Sequence, residues 1–257
     1  MRNQILQVRG LCKFFGGLAA IHEVDFHVNE GEILSIIGPN GAGKTTLFNL
    51  LTGFYPPSRG EIFFQKEAIT RFRPYQIARR GIARTFQTNL LFNDLSVQDN
   101  IFLGYRSRMR SGLWDAILKT RRLRIEEEQS RDSIQEILSF VGLWEQRKEL
   151  TRNIPQEVQK RLSLAMALAT KPKLLLLDEP TGGTIPEETG ELMKLLLRIV
   201  QRGVTVCLIE HKMRVVMNIS SRVLVLNHGV KIAEGPPREI SHDRRVIEAY
   251  LGEEYGA

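Results

Sequence analysis

The sequence Gly-Pro-Asn-Gly-Ala-Gly-Lys-Thr-Thr at residues 38–46 constrains the fold of this chain more than any other stretch. A β-branched, apolar run (33–37) precedes it, and an apolar periodic stretch (47–51) follows it. This order of strand, glycine loop and helix is typical of a loop that binds phosphates. A chance glycine-rich turn is the alternative, but such a turn has no need of a strand before it and a helix after it.

Each residue type in this loop suits a phosphate chain. Glycines let several backbone N–H groups approach the phosphates closely, and the N-terminus of the following helix adds a partial positive charge. Lys44 can reach the β- and γ-phosphates, and the Thr45 hydroxyl can complete the ligand shell of Mg²⁺. The residues of the loop predicted to bind nucleotide are Gly38, Pro39, Asn40, Gly41, Ala42, Gly43, Lys44, Thr45 and Thr46.

Composition places few limits on function. Hydrophobic residues make up 42% of the 257 residues and charged residues 25%, which is the ordinary globular range. The formal charge of +7 suggests an anionic partner, whether nucleotide, nucleic acid or a membrane face, and does not choose among them. Only two cysteines, Cys12 and Cys207, are present, and they lie far apart without CxxC or Cys/His spacing. This usage fits a reducing compartment and argues against a metal site. No run approaches the roughly 20 apolar residues of a membrane span, so we expect a cytoplasmic protein.

The remaining pattern predicts an α/β core that a helical segment interrupts. Strand-like alternation disappears at about residue 88, and apolar residues then recur at helical spacing among many charges. We therefore predict three segments: a first part of the core over 1–87, a helical subdomain over 88–170 and a second part of the core over 171–257. The predicted strands are 6–8, 24–28, 61–64, 174–177, 204–209 and the hairpin 223–226 with 230–233; the predicted helices are 114–147, 159–170, 186–201 and 241–251.

Polar residues follow two of the buried strands. The run 174–177 ends in Asp178-Glu179, which would deliver two carboxylates to the carboxyl edge of a parallel sheet, where such sheets bind ligands. Asp178 suits an outer-shell Mg²⁺ role, and Glu179 suits a general base for water. His211 follows the strand 204–209 and could position a γ-phosphate. A solvated acid pair and a purely structural histidine are the alternatives.

Aromatic side chains precede the phosphate loop at Phe14 and Phe15. Either could stack on an adenine ring, an interaction worth about 1–3 kcal/mol per base. Packing in the core explains such a pair equally well, so the residues alone leave both explanations open.

The phosphate loop, Gln87, the apolar run into Asp178-Glu179 and His211 occur in an order that resembles the ATP-binding subunit of an ABC transporter over essentially the whole chain. The resemblance implies a P-loop NTPase core of RecA-like α/β type, an N-terminal antiparallel β subdomain and an inserted helical subdomain. It also implies ATP as substrate and Mg²⁺ as its metal ion.

The resemblance further assigns roles to residues at the matching places. Phe15 would stack on adenine, and Gln87 would link the nucleotide and Mg²⁺ to the membrane subunit. Glu179 would be the catalytic base, and His211 would contact the γ-phosphate. Gln87 and His211 therefore join Glu179 as predicted catalytic residues, and Thr45, Gln87 and Asp178 form the predicted metal set.

Other segments are similar to the ATPase of branched-chain amino-acid importers. They are Gly53-Phe54-Tyr55, the stretch 81–87, Ser111-Gly112-Leu113-Trp114 with the charged helix after it, and the ending 246–253. The resemblance therefore implies an ATPase that energises the uptake of branched-chain or other hydrophobic amino acids. Urea, amide and lipopolysaccharide transport systems share part of this pattern and are the alternatives.

The sequence departs from the family where its Leu-Ser-x-Gly-Gln signature belongs, because Ile154-Pro155-Gln156-Glu157-Val158 stands there instead. In the family, this motif binds the γ-phosphate of the ATP held by the partner subunit. Pro155 has no N–H to donate. Glu157 would repel a phosphate, at about 4 kcal/mol for unit charges 4 Å apart at an effective dielectric of 20. After Asp178-Glu179, the stretch 182–185 is also unusual for the family.

These departures predict a heterodimer. The chain retains its own nucleotide half-site and lacks the groups that it would lend to a partner, so we expect a second ABC ATPase subunit as partner, with transmembrane permease subunits beside it. The expected location is the cytoplasmic face of the cell membrane, as a peripheral subunit. A regulatory subunit of low turnover is the alternative. A soluble ABC protein acting on nucleic acid is disfavoured, since paired cassettes and long coiled coils are missing from the sequence.

Overall fold

The computed structural model describes residues 3–85, 91–109, 111, 115, 118 and 120–254, and side chains as far as residue 250. Contacts divide the chain into two units. The core unit comprises Met1–Arg84 and Lys173–Ala257, and the helical unit comprises Thr85–Pro172. Within the described part of the chain, no helix is both long enough and apolar enough to cross a membrane.

The core unit contains two sheets. The strands of the core unit are β1 (Gln4–Phe15), β2 (Leu18–Asn29), β3 (Ile33–Ile37), β4 (Arg59–Phe64), β5 (Glu67–Ala68), β6 (Ile82–Arg84), β7 (Leu174–Asp178), β8 (Thr205–Ile209), β9 (Arg222–Asn227) and β10 (Val230–Gly235). The antiparallel sheet has the strand order β2-β1-β4-β5, and the larger sheet has the order β10-β9-β3-β8-β7-β6 with parallel pairing from β9 to β6.

Helices of the core unit lie between these strands. They are α1 (Lys44–Leu51), α2 (Pro74–Arg80), α6 (Pro186–Gln201), α7 (Met213–Ile219), α8 (Pro237–Ile240) and α9 (Arg244–Glu254). Every residue of β3, β7 and β8 is buried, as expected for parallel strands covered on both faces. Leu47 and Phe48 of α1 pack in the same apolar core as Leu34 of β3 and Leu176 of β7.

The helical unit contains α3 (Val97–Arg106), α4 (Arg121–Val141), a 3₁₀ turn (Thr151–Asn153) and α5 (Gln156–Ala169). Ser96 and Thr120 cap α3 and α4, because their hydroxyls accept backbone N–H groups in the first turn. The buried Asn100 side chain donates to Thr151 Oγ1 (2.9 Å), which ties α3 to the turn before α5.

Most predicted elements are confirmed. The helix 186–201 has the predicted bounds, the strands ending at Asp178 and Ile209 are present, and the hairpin is β9 with β10. The predicted helix 159–170 corresponds to α5, which begins three residues earlier.

Other predictions need correction. The strands expected at 6–8 and 24–28 are parts of the much longer β1 and β2, whose alternation is interrupted by register shifts in their pairing. The helix expected over 114–147 is wrong at both ends, because α4 begins only at Arg121, after its N-cap residue Thr120, and ends at Val141, where Gly142 adopts a left-handed conformation (φ 74°). Residue 114 itself lies outside the described residues. The helix expected over 241–251 corresponds to α9, which begins three residues later and continues to Glu254.

Candidate nucleotide site

The larger sheet brings the phosphate loop, Asp178, Glu179 and His211 to one edge. β3, β8 and β7 are parallel neighbours, so their carboxyl ends lie together, and Asp178 is paired with Ile209 in the β7–β8 register. The loop 38–43 follows β3, Glu179 follows β7, and Glu210-His211 follows β8. Ligands of open parallel sheets bind at this kind of edge.

The glycine loop folds into a conformation that only glycine allows. Gly38, Gly41 and Gly43 have φ angles of 152°, 74° and 97°. A Cβ on Gly38 would lie 2.1 Å from the Leu226 carbonyl oxygen, and one on Gly43 would lie 2.6 Å from the Ala20 carbonyl oxygen. The first and last glycines therefore serve close backbone packing, whereas nothing lies within 4 Å of a Cβ on Gly41, where the φ angle alone favours glycine.

Lys44 is buried inside this loop. Its Nζ donates to the carbonyl oxygens of Gly38 (2.6 Å) and Pro39 (2.7 Å), which fixes the ammonium group among the loop residues. Thr45 lies in the first turn of α1 and is exposed. A phosphate chain can bind the N–H groups at the N-terminus of α1 and the Lys44 ammonium group. The Thr45 hydroxyl oxygen can be a ligand of the accompanying metal ion.

Asp178 has a partner that the sequence did not indicate. Arg84 Nη2 donates to Asp178 Oδ2 (2.8 Å), and the two side chains are only 5% and 4% exposed. The same guanidinium donates to Asn49 Oδ1 (2.6 Å) and lies 5.5 Å from the centre of the Phe48 ring. Burial raises the pKa of Asp178 above its usual value, while the hydrogen bond from Arg84 works in the opposite direction.

Glu179 and His211 lie in contact. His211 Nε2 is 2.5 Å from Glu179 Oε1, so the predicted base and the predicted γ-phosphate contact form one pair. Glu179 also has a left-handed backbone (φ 49°), a conformation that costs a non-glycine residue about 1–3 kcal/mol and is found often at functional sites.

Phe15 lies at the end of β1 with 43% of its surface exposed. The Tyr55 ring packs edge-on against it, with centroids 5.3 Å apart, and the Lys13 ammonium lies 5.0 Å from the Phe15 ring centre. Phe15 is therefore outside the core and accessible to a base. Gln87 lies outside the described residues, so its predicted roles stay predictions.

In the helical unit, the segment at the signature position leads into α5. Ile154 is buried, and Pro155 is the N-cap residue and provides no side-chain cap. Glu157 lies in the first turn and forms an ion pair with Arg161 one turn later. This carboxylate offsets the partial positive charge of the helix N-terminus within its own chain.

The donor set fits a magnesium ion that phosphate oxygens help to hold. No group of three or more His, Cys, Asp and Glu side chains among the described residues could bind a metal alone. Mg²⁺ commonly retains waters and uses one or two carboxylates together with substrate phosphates. Thr45 and Asp178 fit that pattern.

Comparisons with known proteins indicate the family of the chain. A family profile described as "ABC transporter" matches residues 21–182, and one described as "Branched-chain amino acid ATP-binding cassette transporter" matches residues 230–256. The high-affinity branched-chain amino acid transport ATP-binding protein LivG of Salmonella typhimurium is 41% identical over 98% of this chain and 100% of its own length. The corresponding protein BraF of Pseudomonas aeruginosa is 39% identical over the same shares. A crystal structure of an ATP-binding cassette of an ABC transporter in its ADP conformation superposes with a TM-score of 0.85 at 30% identity, covering 97% of this chain and 99% of that one.

Proposed function

The chain belongs to the ABC transporter family of ATP-binding subunits, and from this premise we propose that it hydrolyses ATP to energise the uptake of branched-chain amino acids. The substrate is taken from the names of the relatives LivG and BraF, which align over their whole length. The C-terminal match over residues 230–256 supports the same substrate class.

The contact between Glu179 and His211 is the observation that carries the mechanism. Glu179 accepts a proton from the water that attacks the γ-phosphorus, and the bond from that phosphorus to the ADP oxygen breaks. His211 holds the carboxylate in place and presents its ring toward the γ-phosphate. Lys44 and the loop N–H groups hold the phosphate chain in line.

Mg²⁺, when bound, neutralises charge on the β- and γ-phosphate oxygens. Thr45 and Asp178 would hold it, with Gln87 as the third predicted member of the set. Because Arg84 donates to Asp178 Oδ2, the other carboxylate oxygen would be the one to hold the ion or its water.

The chain acts with a second, different ABC ATPase subunit and with permease subunits, as a peripheral protein on the cytoplasmic face of the cell membrane. Pro155 and Glu157 support the heterodimer, because a helix N-terminus preceded by proline and neutralised by its own carboxylate is a poor site for another subunit's γ-phosphate. One composite ATP site would then use this chain's Lys44 and Glu179, and the other would be degenerate.

A regulatory subunit of low turnover is the second candidate. The same segment 154–158 favours it, since a homodimer of this chain would lack the signature donors at both sites. The paired Glu179 and His211 favour catalysis.

ATP hydrolysis by the purified chain, alone and assembled with its partner ATPase and permeases, tests the proposal. We expect little turnover alone, clear turnover in the assembly and stimulation by leucine, isoleucine or valine but not by urea. Glu179→Gln should abolish turnover, and the control Glu187→Gln, at an exposed acid of α6, should leave it unchanged.

A variant with Pro155→Ser, Glu157→Gly and Val158→Gln together tests the role of the signature segment. It should raise the turnover of the chain alone, because it supplies the missing hydroxyl and amide donors and removes the carboxylate. Efficient hydrolysis by the unmodified chain alone, or equal hydrolysis at both sites of the heterodimer, would refute the assigned role of residues 154–158.

A further inference from the structure

Glu210 is a buried carboxylate beside the site that the mechanism above does not use. It directly follows β8 and is only 1% exposed. A carboxylate is costly to bury unless hydrogen bonds compensate it, so its partners indicate what holds it there.

Three donors meet this carboxylate. The Thr181 hydroxyl donates to Oε2 (2.5 Å), and the backbone N–H groups of His211 (2.9 Å) and Lys212 (3.1 Å) donate to Oε1. Glu210 Oε1 is therefore bonded to the backbone of His211 and Lys212. Glu210 Oε2 is bonded to Thr181, in the loop that follows Glu179.

Lys212 makes a second connection to the same loop. Its Nζ donates to the Thr184 carbonyl oxygen (3.0 Å) and lies within 3.4 Å of Thr184 Oγ1 and 3.5 Å of Thr189 Oγ1. Thr184 and Thr189 are bonded to each other through their hydroxyls (2.8 Å). Both sequence neighbours of His211 are thus attached to residues 181–189, which continue the chain from Glu179.

We infer that Glu210, through its bond to Thr181, is a positioning residue that sets the contact between His211 and Glu179. The backbone alone brings Glu179 and Ile209 together, because Glu179 N donates to Ile209 O (3.0 Å). That bond fixes where the loops after β7 and β8 begin, but it does not set the direction of the residues that follow Glu179 and Ile209. The Glu210 carboxylate closes a turn at His211, and the Thr181 hydroxyl holds this turn against the Glu179 loop. This inference rests on the proposed role of Glu179 and His211.

Turnover of the assembled transporter gives the first test. Thr181→Val removes the hydroxyl at nearly constant shape and should lower kcat at least about tenfold, equivalent to about 1.4 kcal/mol. The KM for ATP should change much less, because the loop 38–46 that holds the phosphates is untouched. Thr181→Ser retains the hydroxyl and should retain most of kcat. Equal kcat in the valine and serine variants would overturn the inference.

A double-mutant comparison separates positioning from a general structural role. Glu210→Gln should lower kcat in the otherwise unmodified protein. It should have little further effect when His211 is already alanine, because Glu210 would act only through the position of the His211 side chain. Additive losses would mean that Glu210 acts independently of His211, which contradicts the inference.

A measurement without turnover keeps the test independent of the proposed function. The imidazole ¹⁵N–¹H signal of His211 in the isolated chain, assigned by its loss in His211→Gln, should shift in Thr181→Val and stay in place in Thr181→Ser. An unmoved signal in the valine variant would overturn the positioning role. An assembly without any ATP turnover would instead refute the proposed function and leave this measurement valid.

Discussion

Replacing Arg84 with methionine tests how strongly the buried Asp178 carboxylate depends on its partner. Methionine keeps an unbranched side chain, but it is shorter than arginine and lacks the guanidinium that lies over Phe48 and donates to Asn49 and Asp178. Asp178 is then left as a carboxylate that is 4% exposed and has lost its 2.8 Å partner.

The expected cost follows from these contacts. Removing one member of a buried ion pair costs about 3–5 kcal/mol, because the other charge stays uncompensated. The pair here is at least nine-tenths buried on both sides, so solvent screening does not reduce this value much. For a unit of about this size, 1 kcal/mol shifts Tm by roughly 2–4 °C, so the melting temperature should fall by at least about 6 °C.

The loss should depend on pH. Burial already raises the pKa of Asp178, and losing Arg84 raises it further, so in the window above the ordinary carboxyl pKa the native state binds more protons than the unfolded state. Stability then falls as pH rises through that window, and Arg84→Met should be less destabilising at pH 5 than at pH 8.

Thermal melts at both pH values, with the double variant Arg84→Met/Asp178→Asn as control, test this. The double variant carries no charge at either position of the pair and should recover most of the lost stability. An equal loss at pH 5 and pH 8, or no recovery in the double variant, would refute the assignment of the cost to the Asp178 charge.

Two further predictions concern the nucleotide site. Gly43→Ala should destabilise the protein and weaken ATP binding far more than Gly41→Ala, because only the first places a Cβ against the Ala20 carbonyl oxygen; melts and calorimetric titration of both variants check this. Phe15→Leu should weaken ATP binding by about 1–3 kcal/mol, or roughly 5–150-fold, and leave tripolyphosphate binding unchanged, since only ATP has a base to stack. Tyr75→Leu, at an exposed aromatic residue of α2, is the matched control, and an equal loss for both ligands would contradict the stacking role.

The elements that carry the phosphate loop were predictable because their signals are local. A strand that is apolar except for Ser35, a glycine loop and the amphipathic start of a helix occupy adjacent residues. The apolar run into Asp178 is an equally local signal. The lengths of β1 and β2 were not predictable in this way. Register shifts between Val8 and Leu11 and again before Phe14 interrupt the alternation of side chains on which a strand prediction depends.

The partners of the site residues depend on pairing that the sequence does not contain. Arg84 meets Asp178 across 94 positions only because β6 lies beside β7, and Thr181 meets Glu210 only because β7 lies beside β8. In the sequence, Arg84 is one more cation in a basic run, and Glu210 is an acid beside a more conspicuous histidine. A strand-end acid that is followed by His and preceded by an apolar run was the available signal for Glu210, but the number of its donors appears only in the fold.

The two pairs give the adjacent carboxylates at one sheet edge different partners. Asp178 is buried against the Arg84 guanidinium, whereas Glu179 has a left-handed backbone (φ 49°) and contacts His211. In the proposed mechanism, a permanent cation beside Glu179 would make that carboxylate a weaker base, and a histidine beside Asp178 would make the proposed metal site sensitive to pH near neutrality. The left-handed backbone at Glu179 therefore separates the proposed metal role of Asp178 from the proposed base role of Glu179, because it directs successive carboxylates to different partners.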